Sequence, residues 1–448
     1  MPQSPHVFQR ASAAHLPVAT GGDGIFIKTA DGRRIIDACG GAAVSCLGHS
    51  DRTVTDAIKA QLDTLPYAHT GFFTSEPAEE LAHMLVERAP EGIGRVYFVS
   101  GGSEAAEAAI KLCRQYFLEK GEDRQKIIAR RQSYHGNTLG ALAAGGNEWR
   151  RRQFAPLLTD AFTHIAPCHH WRWGEPGESP EDYGERVANE LEAEILRLGP
   201  DTVAAFMAEP VVGATMGAVP AVPGYYARIR EICDRYGVLL VLDEVMCGMG
   251  RTGALFACDQ DGVRPDMVLI AKGLGAGYQP IGACLVSDAI HDAIAAGSGF
   301  FQHGHTYMGH PTACAGGIAV LKAIEENDLL ANVNAMGERL RTGLEARFGQ
   351  HPNVGDIRGR GLFQGIELVA DRNTKEPLPP AAKTHARIKK AAFERDLMVY
   401  PMGGTIDGAR GDHVMIAPPF ITTPDQIDTI IDRLGDAMAE VLDNKVAA

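Results

Sequence analysis

A lysine and an aspartate stand at the ends of two apolar runs of the chain. Lys272 follows the run 266–270 and precedes the small, flexible run 273–277, while Asp243 closes the run 237–242. Short apolar runs bounded by turn residues predict buried strands, so both side chains are expected at strand ends. A lysine amine can hold the aldehyde of pyridoxal phosphate as a Schiff base, and a carboxylate can keep the pyridine nitrogen protonated so that the ring accepts electrons. The pair therefore predicts pyridoxal phosphate chemistry, with Lys272 and Asp243 as the catalytic residues.

A Gly-Gly-Ser turn supplies a candidate phosphate site. Val-Ser-Gly-Gly-Ser-Glu-Ala-Ala-Glu (99–107) follows a predicted strand and opens a predicted helix. The amides of Gly102 and Ser103, together with the Ser103 hydroxyl, would face outward at the positive end of that helix and could bind a phosphate dianion. The alternative is an ordinary helix capped by Ser103, with Glu104 in its first turn.

A second loop motif, Tyr134-His135-Gly136, follows the predicted strand 126–130. An aromatic ring in this place could stack on a planar cofactor, and Gly136 would let the backbone approach it closely. The alternative is a surface turn.

Two further patterns suggest other chemistry. Residues 248–253 match the GxGxxG pattern of dinucleotide-binding proteins, but five residues separate it from the strand end and only a weak helix pattern follows. The context that a nicotinamide dehydrogenase needs is therefore absent. The histidines of 303–310 and of Cys168-His169-His170 lack a further donor at metal-ligand spacing, which favours hydrogen-bonded loop histidines and predicts no metal site.

The elements that must position these residues follow an alternating pattern. Helical and strand-like segments alternate from about 50 to 325, which predicts an α/β fold with a parallel or mixed sheet covered by helices on both faces. Residues 20–48 predict short antiparallel strands, and a helix-then-strand block after 325 predicts a smaller α+β domain. The stretch 168–180, polar and broken by Pro and Gly, is predicted to be a surface insertion. The predicted strands are 95–99, 126–130, 203–208, 237–242, 266–270, 281–286 and 361–368, and the predicted helices are 76–89, 103–118, 224–236, 328–347, 381–396 and 424–442.

Composition excludes several classes of protein. The chain has 448 residues, of which 45% are hydrophobic and 22% charged, as expected for a globular protein of two or three domains. Its formal charge of −13 argues against binding to a nucleic-acid backbone. No apolar run is long enough to span a membrane, and the N-terminus lacks the layout of a signal peptide. Nine cysteines without a CxxC motif predict buried, reduced thiols in a cytoplasmic protein.

Taken in order, the motifs resemble those of a known family. They are Gly-Ser-Glu-Ala (102–105), Tyr-His-Gly (134–136), Glu-Pro (209–210), Asp-Glu-Val with Gly-x-Gly-Arg-Thr-Gly (243–253), Lys-Gly-Leu (272–274) and Thr-Tyr-x-Gly-His-Pro (306–311). Together with Arg-Gly-Arg-Gly-Leu-Phe (358–363) and Ala-Pro-Pro (417–419), they are similar to the motifs of class III (omega) aminotransferases. The resemblance extends from about residue 20 to the C-terminus.

The resemblance implies a fold and a domain organisation. Class III aminotransferases belong to fold type I of the pyridoxal phosphate enzymes. This implies a large domain with a mixed, mostly parallel, seven-stranded sheet covered by helices, and a small α+β domain formed by both chain ends. The expected boundaries are 1–60 for the N-terminal part of the small domain, 61–325 for the large cofactor-binding domain and 326–448 for the C-terminal part.

The resemblance also implies roles for individual residues. Lys272 would hold the cofactor and carry the proton between the substrate Cα and the cofactor C4′, and Asp243 would pair with the pyridinium nitrogen. Gly102 and Ser103 would bind the phosphate. Val245 and Tyr134 would cover the two faces of the cofactor ring, and His135 and Gly136 would belong to the same site. Glu209 would orient the Asp243 region. Thr306 would reach the cofactor phosphate of a neighbouring subunit, which implies a homodimer, or a dimer of dimers, with active sites at the interface.

Two departures from the family pattern bear on the substrate. Relatives that use ornithine or 4-aminobutyrate with 2-oxoglutarate usually carry Gln three residues after the aspartate, where this chain has Met246. They also carry Glu after the Gly of Glu-Pro-x-x-Gly, where this chain has Ala214. Both changes resemble the amine:pyruvate branch, in which a late arginine binds the acceptor carboxylate. Arg410 is the candidate for that arginine, and its alternative role is a solvated loop arginine.

These inferences predict a ping-pong transaminase that moves an amino group from an omega-amino acid, diamine or other primary amine to a 2-oxo acid, with pyruvate as the expected acceptor. Tyr67, Phe72 and Phe73 are aromatic candidates for the substrate pocket, suited to an apolar or linear chain. An isomerase (aminomutase) or a decarboxylase of the same fold would share every cofactor residue and stays open as an alternative. A nicotinamide dehydrogenase would depend on residues 248–253 alone.

Overall fold

The structure, a computed structural model, describes residues 6–11 and 15–443. Its strands form three larger sheets and one two-stranded ribbon. In chain order the strands are β1 (Ala19–Asp23), β2 (Phe26–Thr29), β3 (Arg34–Asp37), β4 (Ile93–Val99), β5 (Lys126–Arg130), β6 (Phe162–Ile165), β7 (Val203–Ala208), β8 (Val211–Val212), β9 (Val219–Pro220), β10 (Leu239–Asp243), β11 (Met267–Ile270), β12 (Gly282–Ser287), β13 (Val354–Arg360), β14 (Phe363–Leu368), β15 (Leu397–Met398), β16 (Tyr400–Gly403) and β17 (Asp412–Ile416).

The helices range from single turns to five turns. In chain order they are α1 (Gly40–Ala43), α2 (Arg52–Thr64), α3 (Glu76–Val86), α4 (Gly102–Glu119), α5 (Leu139–Ala144), α6 (Glu148–Arg151), α7 (His170–Trp173), α8 (Pro180–Leu198), α9 (Tyr225–Tyr236), α10 (Asp288–Ala296), α11 (Pro311–Glu326), α12 (Leu329–Phe348), α13 (Thr384–Glu394) and α14 (Pro424–Leu442). The strand and helix segments predicted from periodicity are confirmed, with ends that shift by a few residues.

The largest sheet has seven strands in the order β4-β12-β11-β10-β7-β5-β6. Only β12 pairs antiparallel with its two neighbours, β11 and β4, and the remaining pairings are parallel. Every residue of β7 and β10 is buried, as continuous apolar runs require when both faces of a sheet are covered. The predicted mixed, mostly parallel sheet of seven strands is confirmed.

Helices cover both faces of this sheet. On one face α3, α8, α9 and α11 pack into a core with the strands, and on the other face α4, α5 and α10 form a second core. A sheet enclosed in this way presents its functional edge at the carboxyl ends of the parallel strands, since loops there are free to diverge.

Two smaller sheets bring together the ends of the chain. The antiparallel sheet β13-β14-β17-β16 is formed after residue 353, and the sheet β1-β2-β3-β15 pairs Leu397 with Ile36. A third core contains Ile25 and Ile36 together with apolar faces of α12, α13 and α14. The antiparallel strands predicted within 20–48 are confirmed, while the domain boundaries after residues 60 and 325 stay predictions.

The prediction of a surface insertion at 168–180 is wrong for its first half. Cys168 and His169 are buried, and the Arg172 Nε donates to a carboxylate oxygen of the buried Glu367 over 2.6 Å. His169 Nε2 also lies 3.6 Å from an Asp356 carboxylate oxygen. The polar residues of this segment, which indicated solvent exposure, instead contact acidic side chains of β13 and β14.

All nine cysteines are buried and unpaired, which confirms the predicted buried thiols. Within residues 6–11 and 15–443, no helix has the length and apolar character that crossing a membrane would require.

Candidate active site

A cavity of about 430 Å³ lies at the carboxyl edge of the seven-stranded sheet. Five parallel strands, β4, β5, β7, β10 and β11, end at this edge. Each has a predicted site residue at its last position or in the loop that follows it. Nine of the predicted residues line the cavity: Gly102, Ser103, Tyr134, His135, Gly136, Glu209, Asp243, Val245 and Lys272. The structure thus places in one cavity residues that are up to 170 positions apart in the chain.

Asp243 is held by two hydrogen bonds at the end of β10. His135 Nδ1 lies 2.7 Å from Asp243 Oδ2, and Oδ1 accepts a hydrogen bond from the Val245 amide over 3.0 Å. Both side chains of the His135–Asp243 pair are buried. A carboxylate oriented in this way, in surroundings of low dielectric, is suited to keep a proton on a ring nitrogen.

Lys272 lies two residues after the end of β11, behind Ala271, and has a left-handed backbone conformation with φ of 45°. Its amine makes no hydrogen bond to any residue that the structure describes. Burial lowers the pKa of the Lys272 amine to about 8, and the carboxylates of Asp243 and Glu209 partly oppose that shift. A neutral amine is therefore accessible near physiological pH, as a nucleophile toward an aldehyde requires.

Two glycines, Gly102 at the start of α4 and Gly136 in the loop after β5, line the cavity with bare backbone. A Cβ atom on Gly102 would lie 2.8 Å from a Val245 methyl carbon, and one on Gly136 would lie 2.7 Å from the Ser103 Oγ. Gly136 also has a φ of 144°, which L side chains rarely adopt. Glycine is therefore required at both positions by close packing around the cavity.

Ser103 does not cap α4. Its hydroxyl oxygen instead accepts a hydrogen bond from the Asn137 amide over 3.0 Å, and the Glu104 carboxylate accepts from the Ser100 amide over 2.7 Å. The helix begins at Gly102 and runs for 18 residues, so its free amides and positive end lie beside the cavity. The capping interpretation of Ser103 is wrong, and the geometry suits a phosphate dianion.

Glu209 joins two loops of the site. Its carboxylate accepts hydrogen bonds from the amides of Tyr134 and Gly213, each over 3.0 Å. The side chain is buried, and burial raises the pKa of its carboxyl group. The contacts are those of a residue that positions the loop carrying Tyr134 and His135.

Four other predicted residues lie outside this cavity. Tyr67 is half-buried and donates a hydrogen bond from its hydroxyl to the carbonyl of the exposed Thr306 over 2.9 Å. Phe72 and Phe73 are 82% and 66% exposed and line a separate surface depression. The structure brings none of these side chains to Lys272 within the single chain.

Arg410 also lies outside the cavity. Its side chain is 59% exposed and its Nε donates to the Asp407 carboxylate over 2.7 Å. Asp407 is held in turn by the amides of Ala409 and Arg410. The arginine is therefore engaged within its own loop, at residues 404–411.

The alternative chemistries lack structural support. Residues 244–253 form turns after β10 and no α-helix follows them directly, so the dinucleotide motif lacks its helix. The rings of His303 and His305 pack edge to face with centroids 4.7 Å apart. Over the described part of the chain, no group of three or more His, Cys, Asp or Glu side chains is placed to hold a metal ion.

Several further residues near the site were not predicted from the sequence. Val44, from the segment after α1, lines the cavity, as does Gln279 from the loop before β12. The buried Glu244 accepts hydrogen bonds from the amides of Ala257 and Cys258, and burial raises the pKa of its carboxyl group to about 7. No local pattern marks Val44 or Gln279, and Glu244 stands within the Asp-Glu-Val motif without any local sign of the contacts that bury it.

The cavity fits pyridoxal phosphate by the chemistry of its donors. The Lys272 amine, which has no hydrogen-bond partner among the described residues, suits the aldehyde. The anchored Asp243 carboxylate suits the ring nitrogen, and the amides at the start of α4 suit the phosphate.

Comparison with known proteins agrees with this site. The family model described as aminotransferase class-III matches residues 7–438. An uncharacterized aminotransferase of Schizosaccharomyces pombe is 46% identical over 431 residues, covering 95% of this chain and 93% of the relative.

Solved structures show the same relationship. A thermostable (S)-enantioselective omega-transaminase from Thermomicrobium roseum has a TM-score of 0.91 and 35% identity, covering 99% of this chain and 96% of that one. An omega-transaminase from Pseudomonas jessenii in complex with PMP has a TM-score of 0.90 and 34% identity, covering 96% and 93% of the two chains.

Proposed function

Since this chain belongs to the class III aminotransferase family, we propose that it moves an amino group from an omega-amino acid, diamine or other primary amine to pyruvate. Membership makes the protein a pyridoxal phosphate-dependent aminotransferase of fold type I. The observation that carries the proposal is the single cavity that joins the Lys272 amine, the His135–Asp243 pair and the start of α4.

Pyridoxal phosphate, when bound, supplies an aldehyde for the amine and a ring that accepts electrons. Lys272 would hold that aldehyde through its Nζ atom in the resting enzyme. Displaced by the donor, the same Nζ would take a proton from the substrate Cα and deliver it to the cofactor C4′. The lowered pKa of Lys272, about 8, keeps a useful fraction of the amine neutral for this work.

Asp243 would keep the proton on the pyridine nitrogen. His135 positions the carboxylate through the 2.7 Å contact of its Nδ1, and the Val245 amide fixes the second oxygen. Since the group at the ring nitrogen must stay charged, a buried and doubly hydrogen-bonded carboxylate is the appropriate partner.

Gly102 and Ser103 would bind the phosphate at the start of α4, and Tyr134 and Val245 would enclose the ring. Val245 packs against Gly102 while Tyr134 is tied to Glu209 by its amide, so the two walls are fixed independently. This arrangement would orient the reacting aldehyde toward Lys272 and exclude water from it.

The choice of pyruvate is supported by an apolar wall. Met246 lines the cavity and contacts Gly213 so closely that a Cβ there would overlap its sulfur. Ala214 belongs to the same buried apolar cluster. A wall without a cation suits the methyl group of pyruvate better than the second carboxylate of 2-oxoglutarate.

Arg410 is proposed to bind the acceptor carboxylate. The Arg410 loop reaches the site region, since a Cβ on Gly408 would lie 2.7 Å from the amide nitrogen of Trp149. Trp149 directly precedes Arg150, whose guanidinium lies over the Tyr134 ring. To reach the acceptor, Arg410 would leave the Asp407 carboxylate and bind the carboxylate of the acceptor. Both are guanidinium–carboxylate ion pairs, so one would replace the other.

We also propose a homodimer, or a dimer of dimers, with Thr306 of the partner subunit beside the cofactor phosphate. The support is a set of exposed aromatic side chains, Phe72, Phe73 and Tyr307, of which the last is 62% exposed and packs edge to face on the half-buried Tyr67. Exposed aromatic clusters of this kind are typical of interaction surfaces.

A donor panel tests the function. Purified enzyme would be given primary amines, diamines and omega-amino acids, each with pyruvate or 2-oxoglutarate, and alanine or glutamate would be measured. The proposal expects amine-dependent alanine formation and a higher kcat/KM for pyruvate. Preference for 2-oxoglutarate would overturn the acceptor assignment, and turnover without any acceptor would indicate the isomerase or decarboxylase alternative.

A further inference from the structure

A second cavity, of about 410 Å³, lies beside the active site and is lined by three arginines. They are Arg10, Arg150 and Arg152, and the surrounding wall includes Trp149 and Phe154. No Asp or Glu among the described residues lines this cavity. In a chain with a formal charge of −13, three guanidinium groups around one cavity form a concentrated positive site.

The three guanidinium groups have no ionic partner among the residues that the structure describes. Across residues 6–11 and 15–443, none of them forms an ion pair or a side-chain hydrogen bond, and Arg150 contacts only the rings of Tyr134 and Trp149, at 4.5 and 5.9 Å. Their neighbour Arg151 differs, because its Nη1 donates to the carbonyls of Ala143 and Gly145 over 2.6 Å.

The contrast identifies the side of the segment that is available to a ligand. The Arg151 guanidinium is engaged in hydrogen bonds to backbone carbonyls. Arg150 and Arg152 line the cavity, and their guanidinium donors bind no other residue of the described part of the chain. A guanidinium presents several N–H donors in a planar fork that matches the oxygens of a carboxylate or phosphate.

The second cavity shares a wall with the active site. Tyr134 lines the active-site cavity, and its hydroxyl donates to the Asn137 Oδ1 over 3.1 Å. Asn137 lines the second cavity, and its amide donates to the Ser103 hydroxyl oxygen. A molecule that reacts at Lys272 could therefore extend past the edge of Tyr134 into the second cavity.

We propose that this cavity is a subsite for an anionic group, a carboxylate or a phosphate, at the end of the amine donor remote from its amino group. The inference rests on the proposed transaminase function and names the donor class within it. The aromatic side chains of Trp149 and Phe154, 55% and 45% exposed, offer contact surface to an apolar chain that leads to the anion.

Kinetics with matched donors tests the subsite. The donors would be 6-aminohexanoate against hexylamine for the carboxylate, and phosphoethanolamine against ethanolamine for the phosphate, all with pyruvate. Arg150→Gln/Arg152→Gln should lower the ratio of kcat/KM for the charged over the neutral donor by about tenfold to a hundredfold in one of the two pairs. The pair that responds identifies the anion.

Arg341→Gln is the matched control, because Arg341 lies on the exposed face of α12 and pairs with Glu345 within that helix. The donor ratios of the control should equal those of the wild type. Equal losses for charged and neutral donors in the double variant, or no change in either ratio, would overturn the proposal.

A binding measurement separates this inference from the proposed function. Isothermal titration calorimetry of the cofactor-loaded enzyme with glutarate and with inorganic phosphate should show an affinity that the double variant weakens at least about tenfold. If the wild type transaminates none of the donors, the proposed function fails while this titration still decides whether the cavity binds anions. Equal affinities in wild type and double variant would contradict the subsite.

Discussion

The Nδ1 atom of His135 lies 2.7 Å from the Oδ2 atom of Asp243, and this buried contact links the loop after β5 to the end of β10. The two residues are separated by 107 intervening positions in the chain. They come together because β5 and β10 end at the same edge of the sheet with only β7 between them. The contact fixes the carboxylate that we assign to the pyridine nitrogen.

Asp243→Asn should lower kcat by about 10²-fold to 10³-fold while the protein retains cofactor, because a neutral amide cannot keep the ring nitrogen charged. Steady-state kinetics and the visible absorbance of the bound cofactor would measure the two properties. Near-normal turnover of the variant would place the partner of the ring nitrogen elsewhere.

The capture of cofactor by the apoenzyme should accelerate as the pH rises through about 8, the pKa of the buried Lys272 amine. The neutral amine is the nucleophile, and its fraction grows in that interval, whereas an exposed lysine would require about pH 10. Stopped-flow absorbance between pH 6.5 and 9.5, after mixing with pyridoxal phosphate, measures the rate. A rate independent of pH in this interval would argue against a lowered pKa.

Glu244 should make the stability of the fold depend on pH. Burial raises the pKa of its carboxyl group from 4.5 to about 7, so folding favours the protonated form. The associated stability is fully present below pH 4.5 and is lost as the pH rises through 7, with a magnitude on the order of 3 kcal/mol.

Glu244→Gln should remove the contribution of Glu244 to this pH dependence. The free energy of unfolding of the variant should therefore fall less between pH 4.5 and 7.5 than that of the wild type. Urea unfolding at several pH values measures it, and Glu80→Gln, at an exposed residue paired with Lys322, is the control. Identical pH profiles of wild type and Glu244→Gln would show that Glu244 is not the group responsible.

Arg410→Ala should slow the half-reaction with pyruvate about tenfold or more relative to the half-reaction with a simple amine, because a bidentate pair with the acceptor carboxylate is lost. Single-turnover absorbance measures each half-reaction separately. Equal damage to both half-reactions would assign Arg410 a structural role, and no damage to either would assign the carboxylate to another residue.

Most of the site was predictable because it depends on strand ends. Asp243 and Lys272 follow apolar runs that must be buried strands, and parallel strands present their carboxyl ends at one edge of a sheet. The helix start at Gly102 and the loop at Tyr134 follow strands in the same way.

The rest depends on contacts that local sequence does not encode. The segment 168–180 has the composition of a loop, yet Arg172 pairs with Glu367, which lies 195 positions further along the chain. Arg150 and Arg151 are adjacent and chemically identical, and only packing decides that one faces the second cavity while the other serves backbone carbonyls. Tyr67, Phe72, Phe73 and Thr306 stay predictions, since their proposed role needs a second subunit.

In the function proposed for this protein, the Lys272 amine holds the cofactor. Reduction of the cofactor-loaded enzyme with borohydride, followed by peptide mass spectrometry, tests it most directly, with Lys272→Ala as the blank and Lys322→Ala, an exposed lysine on α11, as the control. We expect one modified peptide, carrying the reduced cofactor on Lys272, in the wild type and in Lys322→Ala, and none in Lys272→Ala. A modified lysine at any other position, or full transaminase turnover by Lys272→Ala, would contradict it.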